Sequence, residues 1–145
     1  MSKRDVEFYL VDIFIAIFKI QLYTSKFNNG EELLDSMLEW DATIRELEII
    51  GEATNILIKL KILENRKYRK IVDFRNLIIH GYFGIDEDEV WNVVKFNLID
   101  FYQDLISIIN NNKIIINEAI FYAKNENLKN KNILDFLDKL ENEII

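Results

Sequence analysis

The chain of 145 residues contains no cysteine and no proline. The first absence excludes disulfides, thiolate catalysis and thiolate metal sites, and it fits a reducing compartment. The second leaves helices uninterrupted, because proline removes a backbone donor and clashes with the preceding turn. Only four glycines, Gly30, Gly51, Gly81 and Gly84, are available as punctuation. A single histidine, His80, excludes a zinc site built on several histidines of one chain. Positive charge is also short: 18 lysines and arginines face 25 aspartates and glutamates, a net charge of −7. Phosphate neutralisation supplies much of the affinity for nucleic acid, so this balance argues against tight, general RNA binding by the chain alone. It suits a weakly binding nuclease, or a subunit with a basic protein partner. The apolar-rich stretch 8–20 is too short to span a bilayer. Asp5 and Glu7 flank it, Asp12 interrupts it, and no small-residue cleavage site follows, which predicts a buried first helix in a cytoplasmic protein with no membrane partner.

What is present is a folding core. Half the residues are hydrophobic, too many for a disordered chain, and the length suits one domain. Apolar residues at 10, 11, 14, 17, 18 and 22 predict a helix over 3–27, stopped by Asn28-Asn29-Gly30. A second helix is expected soon after Gly30, with Glu31 and Glu32 at its positive end and a break near Trp40. Beyond that break Trp40, Ile44, Leu47, Ile50, Ala53 or Thr54, and Leu57 follow helical spacing. Gly51 lies inside this helix, where glycine often serves close packing. A third helix is predicted over 68–80, and Gly81 and Gly84 mark a tight loop. Asp86 followed by Glu89 resembles a cap, opening a fourth helix that runs to about 110 on Val90, Val94, Asn97 or Leu98, Phe101, Leu105 and Ile108. After the Asn110-Asn111-Asn112 turn, two shorter helices are expected, roughly 114–124 and 130–144. Ile114-Ile115-Ile116 has strand propensity but no partner. The expected fold is all-α: an antiparallel four-helix-type bundle over 1–112 with a short helical C-terminal extension, 113–145, packed on the same domain.

The segment with chemical content is Val72-Asp73-Phe74-Arg75-Asn76-Leu77-Ile78-Ile79-His80-Gly81-Tyr82-Phe83-Gly84. The only histidine closes a helix, with an arginine, an asparagine and a tyrosine within a few residues. Asn76 and His80, four apart, share a helix face. Arg75 and His80 lie roughly 140° round and about 7.5 Å along the axis from one another. The long arginine stem can curl toward the histidine face, or a two-fold pairing of subunits can bring both faces into one cleft. The direction of Tyr82 depends on the loop. An imidazole moves protons near neutral pH, and a helix C-terminus favours its charged form. A guanidinium binds phosphate and stabilises charge growing on it. RNA carries its own nucleophile, the 2′-hydroxyl, so such a pair suffices for cleavage to a 2′,3′-cyclic phosphate and a 5′-hydroxyl, with no metal and no cofactor. Taken alone, an Arg-x4-His pair more commonly means a capping histidine and a structural arginine.

The pattern Arg75-Asn76-x3-His80-Gly81-Tyr82 resembles the Arg-x4–6-His signature of HEPN domains, in particular the HepT-like (DUF86) branch. Upstream, Glu48-Ile49-Ile50-Gly51-Glu52-Ala53 looks like that branch's Ile-Gly-Glu-Ala helix. Downstream, Gly84-Ile85-Asp86 and Val90-Trp91 are similar to its loop and tryptophan. The likeness covers about residues 5–110. It departs at Val72-Asp73-Phe74, where a small residue and a methionine are usual, and in the longer tail after Asn112. The resemblance implies a homodimeric, metal-independent ribonuclease toxin with its cleft between two subunits, acting on an RNA such as tRNA or mRNA. It implies that Arg75 and His80 are the catalytic pair, oriented by Asn76. It further implies that a cognate MntA-type nucleotidyltransferase antitoxin neutralises the toxin by AMPylation of Tyr82. Tyr82 as a packing residue of the loop is the plainer alternative.

Other polar residues have two readings each. Glu52 is a carboxylate that fixes the Arg75 rotamer or, the commoner case, a solvated helix charge. Arg45 lines the cleft or pairs with Glu48 three residues on. Trp40 and Trp91 suit the core better than base stacking. Asp86, Glu87, Asp88 and Glu89 mimic metal ligands, but helix-start electrostatics explain them better. Against the nuclease stands a non-catalytic helical adaptor, or substrate-binding subunit, of a nucleotidyltransferase; the acidic balance favours it. A plain structural bundle is the third reading.

Overall fold

The computed structural model describes residues 3–80 and 84–144, with side chains for 5–79 and 84–144. It is helical, with no strand among the described residues. The elements are α1 (Lys3–Thr24), α2 (Gly30–Asp35), α3 (Met37–Lys59), α4 (Asn65–His80), α5 (Glu87–Asn92), α6 (Leu98–Asn111), α7 (Asn117–Glu126) and α8 (Lys131–Glu143). A π-helical turn, Val93–Asn97, joins α5 to α6. None of the described helices is long and apolar enough to cross a membrane.

Helix α1 is the central column and touches α3, α6, α7 and α8. That explains its wide buried face, from Val6 through Leu10, Phe14 and Ile17 to Ile20 and Thr24. Leu22, expected on that stripe, is 43% exposed, and Phe18 lies at the core's margin. The helix also stops at Thr24, whose hydroxyl donates to the Ile20 carbonyl (2.8 Å). Asn28-Asn29-Gly30 is therefore a start and not a stop: the Asn29 side chain accepts from Glu32 N (2.9 Å) and caps α2. The break before α3 falls at Ser36, ahead of the expected Trp40. Lys19–Glu46 (3.8 Å) and Lys26–Glu39 (2.9 Å) run in opposite chain directions and mark α1 and α3 as antiparallel.

Two further boundaries depend on residues that seldom end helices. Lys61 (φ 62°) and Lys113 (φ 53°) take the left-handed position after α3 and α6. The amides of Ile62 and Ile114 then reach back to the carbonyls of Leu57 and Ile109. Each is a Schellman closure, usually built on glycine. Helix α4 begins at Asn65, three residues before the expected 68. The inner seam of α5–α6 is Val90, Val94, Leu98, Phe101, Leu105 and Ile109. Leu98, not Asn97, and Ile109, not Ile108, face inward. A regular helix would carry Ile109 roughly a quarter turn off the face of Val90. The π turn absorbs one residue and returns both to the core side.

Helices α7 and α8 start and stop within three residues of the expected bounds, and both pack on α1. Ile114–Ile116 is neither helix nor strand, and Ile116 is fully buried. The buried cluster is continuous from Val6 to Leu140. Tyr68 of α4 meets Phe101 of α6 (ring centroids 5.4 Å) and donates to Asp104 (3.0 Å), which fixes the start of α4.

Candidate active site

The site forms where α3 and α4 run against each other as a hairpin. Gly51 and Arg75 lie at nearly equal distances from the turn that joins the helices, so they come level. Gly51 is buried, and a methyl group on it would overlap Cβ and Cγ of Arg75. The missing side chain lets the arginine stem lie flat across α3. From there the guanidinium is held on two sides. Nη2 donates to Glu52 Oε1 at 3.0 Å, and Nη1 donates to Asn76 Oδ1 at 3.1 Å.

This pairing revises the commoner reading of Glu52 as a solvated charge: the carboxylate is bonded to Arg75, though half exposed itself. Arg75 is the more sheltered partner, with 26% of its side chain accessible. A partly wet ion pair of this kind contributes little to stability, so its value is directional. The guanidinium has one further peculiarity. Its Nε is buried and has no hydrogen-bond partner. A buried orphan donor costs about 1–3 kcal/mol, and a group kept at that cost is a candidate for function.

His80 is the last residue of α4, one turn beyond Asn76 and on its face. Its side chain, and Gly81 and Tyr82, lie outside the described residues. Gly84, on the far side, has φ +88°, a conformation that suits glycine, and its side is open to solvent. Asp86 then caps α5, its Oδ1 accepting from Asp88 N (2.8 Å). The acidic run Asp86–Glu89 thus serves a helix start.

The remaining candidates fall outside the cluster. Arg45 Nη1 pairs with Glu48 Oε2 at 3.4 Å, the local i,i+3 contact. Trp40 and Trp91 pack half-buried against the core. Trp91 carries Lys95 Nζ over its ring at 4.7 Å. The part of Gly51 in shaping the site was only half legible. A glycine inside a helix signalled close approach, but nothing in its spacing named Arg75 as the neighbour.

A sequence profile described as Ribonuclease HepT-like matches residues 13–108, from mid-α1 to late α6. A Methanocaldococcus jannaschii protein provisionally named as an RNase is 37% identical over 97 residues, covering 66% of this chain and 88% of its own length. A Thermococcus cleftensis protein, provisionally named as ribonuclease HepT, is 39% identical over 95 residues, covering 64% of this chain and 86% of its own. A second M. jannaschii protein, whose name joins a gamma-glutamylcyclotransferase to a provisional RNase, is 28% identical over 141 residues. That match covers 95% of this chain and 63% of the relative. No solved structure gives a significant match. The profile covers well over half of the chain and includes Gly51, Glu52, Arg75, Asn76 and His80, so the chain belongs to the HepT-like ribonuclease family.

Proposed function

We propose that the chain is a metal-independent endoribonuclease, and the toxin of a type VII toxin–antitoxin pair. The observation that carries this reading is the clamped guanidinium: Arg75, fixed by Glu52 and Asn76, on the helix that ends at His80. In this reading an imidazole takes the proton of a 2′-hydroxyl, and the freed oxygen bonds to the adjacent phosphorus. Arg75 neutralises the pentacoordinate phosphate. The bond to the 5′-oxygen breaks, and that oxygen leaves with a proton from the second imidazole of a two-fold pair. The products are a 2′,3′-cyclic phosphate and a 5′-hydroxyl. A homodimer about α4 supplies one charged and one neutral histidine; the helix C-terminus favours the charged one.

Neutralisation extends the same reading. A partner nucleotidyltransferase directs the Tyr82 phenol oxygen onto the α-phosphorus of ATP, pyrophosphate leaves, and the phenol proton passes to solvent. An AMP attached there would add a phosphodiester charge and bulk that compete with substrate phosphate for Arg75. The test is RNA cleavage in excess chelator, with product ends analysed. Cyclic-phosphate ends from the parent, lost in Arg75→Ala and His80→Ala while both remain folded, support the reading. Equal cleavage by all three sinks it. The acidic net charge favours a second reading, a non-catalytic adaptor of the nucleotidyltransferase. AMP on Tyr82 by mass spectrometry, with no ribonuclease activity in the unmodified chain, would select that alternative.

A further inference from the structure

The overall charge of −7 conceals a segregation. Residues 59–75 hold seven basic side chains against two acidic ones, a net +5, which leaves −12 on the rest of the chain. Lys59, Lys61, Arg66 and Lys70 of this segment are exposed. Among the described residues none of the four is in an ion pair. Lys67 and Arg69 are engaged instead, with Asp104 (3.3 Å) and Asn65 (2.9 Å), and hold the first turns of α4.

We propose that the α3–α4 turn and the N-terminal half of α4 form a phosphate track that guides single-stranded RNA along α4 toward its His80 end. The destination of the strand rests on the ribonuclease reading; the binding does not. Lys59 ends α3, Lys61 follows in the turn, and Arg66 and Lys70 stand one turn apart on α4. Arg66 and His80, fourteen positions apart, differ by only about 40° round the helix, so they stand on one face at opposite ends, roughly 21 Å apart. Asp73 is the carboxylate on that face, and the exposed Leu77 lies beside it. Four free cations at one end of this face suit a polyanion laid along α4 toward the helix end that carries His80; Arg75, nine positions from Arg66, stands roughly 180° round, on the flank against α3. An acidic protein would need no such alignment with His80. The acidic remainder of the chain repels RNA everywhere else and so confines it to this track.

The test uses the full chain and a variant with Lys59→Gln, Arg66→Gln and Lys70→Gln. These side chains are exposed and unpaired, so an unchanged melting temperature is expected to confirm folding. The probe is a 2′-O-methylated single-stranded oligonucleotide, which lacks the nucleophile and survives intact. Fluorescence anisotropy then gives Kd across a salt series. Each lost phosphate contact removes about 0.7 from the slope of log K against log salt, so the triple variant should lose about 2. Its Kd at low salt should rise at least ~10-fold, and with cleavable RNA KM should rise while kcat holds. Unchanged affinity and slope would overturn the track. So would a parent that binds a polyglutamate peptide more tightly than RNA, with the variant losing only that. Salt-dependent RNA binding that falls in the variant, while the parent cleaves nothing, keeps the track and removes the ribonuclease reading. Cleavage by a parent whose triple variant binds as well as it does has the opposite meaning.

Discussion

The α3–α4 hairpin and the α7–α8 extension spend their polar groups differently. In the hairpin they converge: Glu52, Arg75 and Asn76 meet over Gly51, and the Arg75 Nε remains buried without a partner. In the extension they close helix ends. The buried Glu7 carboxylate of α1 accepts from Ala119 N at 2.7 Å and caps α7 from across the bundle. Asn130 caps α8 through Ile133 N (3.2 Å), and Tyr102 donates to Glu143 (3.0 Å). Phe18 stacks on Phe136 with centroids 4.5 Å apart. One region tolerates a cost and points its groups outward; the other satisfies its groups and buries rings. The family profile ends at 108, before the extension begins. The difference teaches that the extension spends its side chains on packing against α1, while the hairpin gathers the polar groups that the proposed chemistry needs.

The sharpest way to break this comparison is to damage each region and read both activity and stability. Arg75→Ala should reduce RNA cleavage by about 10²–10³, the usual loss when one charge-stabilising donor is removed. The melting temperature should hold or rise, since a buried orphan donor goes with it. Next in size is Gly51→Ala. The added methyl collides with the Arg75 stem, not with a flexible tip, so α3 and α4 must separate. Overpacking of that kind costs about 1–3 kcal/mol, and cleavage should fall further than the stability loss accounts for. Glu7→Ala should leave the Ala119 amide without its acceptor and cost about 1–2 kcal/mol, measured by urea unfolding, with kcat unchanged. If Glu7→Ala abolished cleavage in a folded protein, the two regions would not be separable.

How much of this was legible in the sequence depended on which residues carried the signal. Helices were readable wherever apolar spacing was regular, whereas the polar set Arg75, Asn76 and His80 was singled out by its resemblance to a family signature and not by spacing alone; the structure joins Arg75 to Asn76. Helix ends were read less well. Asn28-Asn29-Gly30 looked like a stop because asparagine and glycine serve both ends of helices; the side-chain bond to Glu32 N decided for a start. Lys61 closed α3 without any stop residue, and Lys113 closed α6 just past the Asn110-Asn111-Asn112 turn, because the amides of the following isoleucines fold back on each helix and offset the cost of a left-handed lysine. The π turn was invisible because it shifts the seam by a single position. Glu52 was misweighted for another reason: a carboxylate on a helix is usually solvated, and only tertiary contact with α4 shows otherwise.

The smallest expected effect lies between the two regions, on the seam of α1 and α3. Glu46 is buried there, 3.8 Å from Lys19. Burial raises its carboxyl above the ordinary range, and Lys19 and Arg45 offset that only in part. A carboxylate raised in the folded state stabilises the fold below its unfolded value and loses that stabilisation as pH climbs through the folded value. Glu46→Gln removes this titration. The variant and the parent should therefore unfold at similar urea concentrations near pH 4. As pH rises to 7 the variant should become slightly the more stable, with cleavage per folded molecule the same in both. A variant that instead lost stability at pH 7 would mean that the Lys19 pair outweighs burial, and that the seam is held by charge.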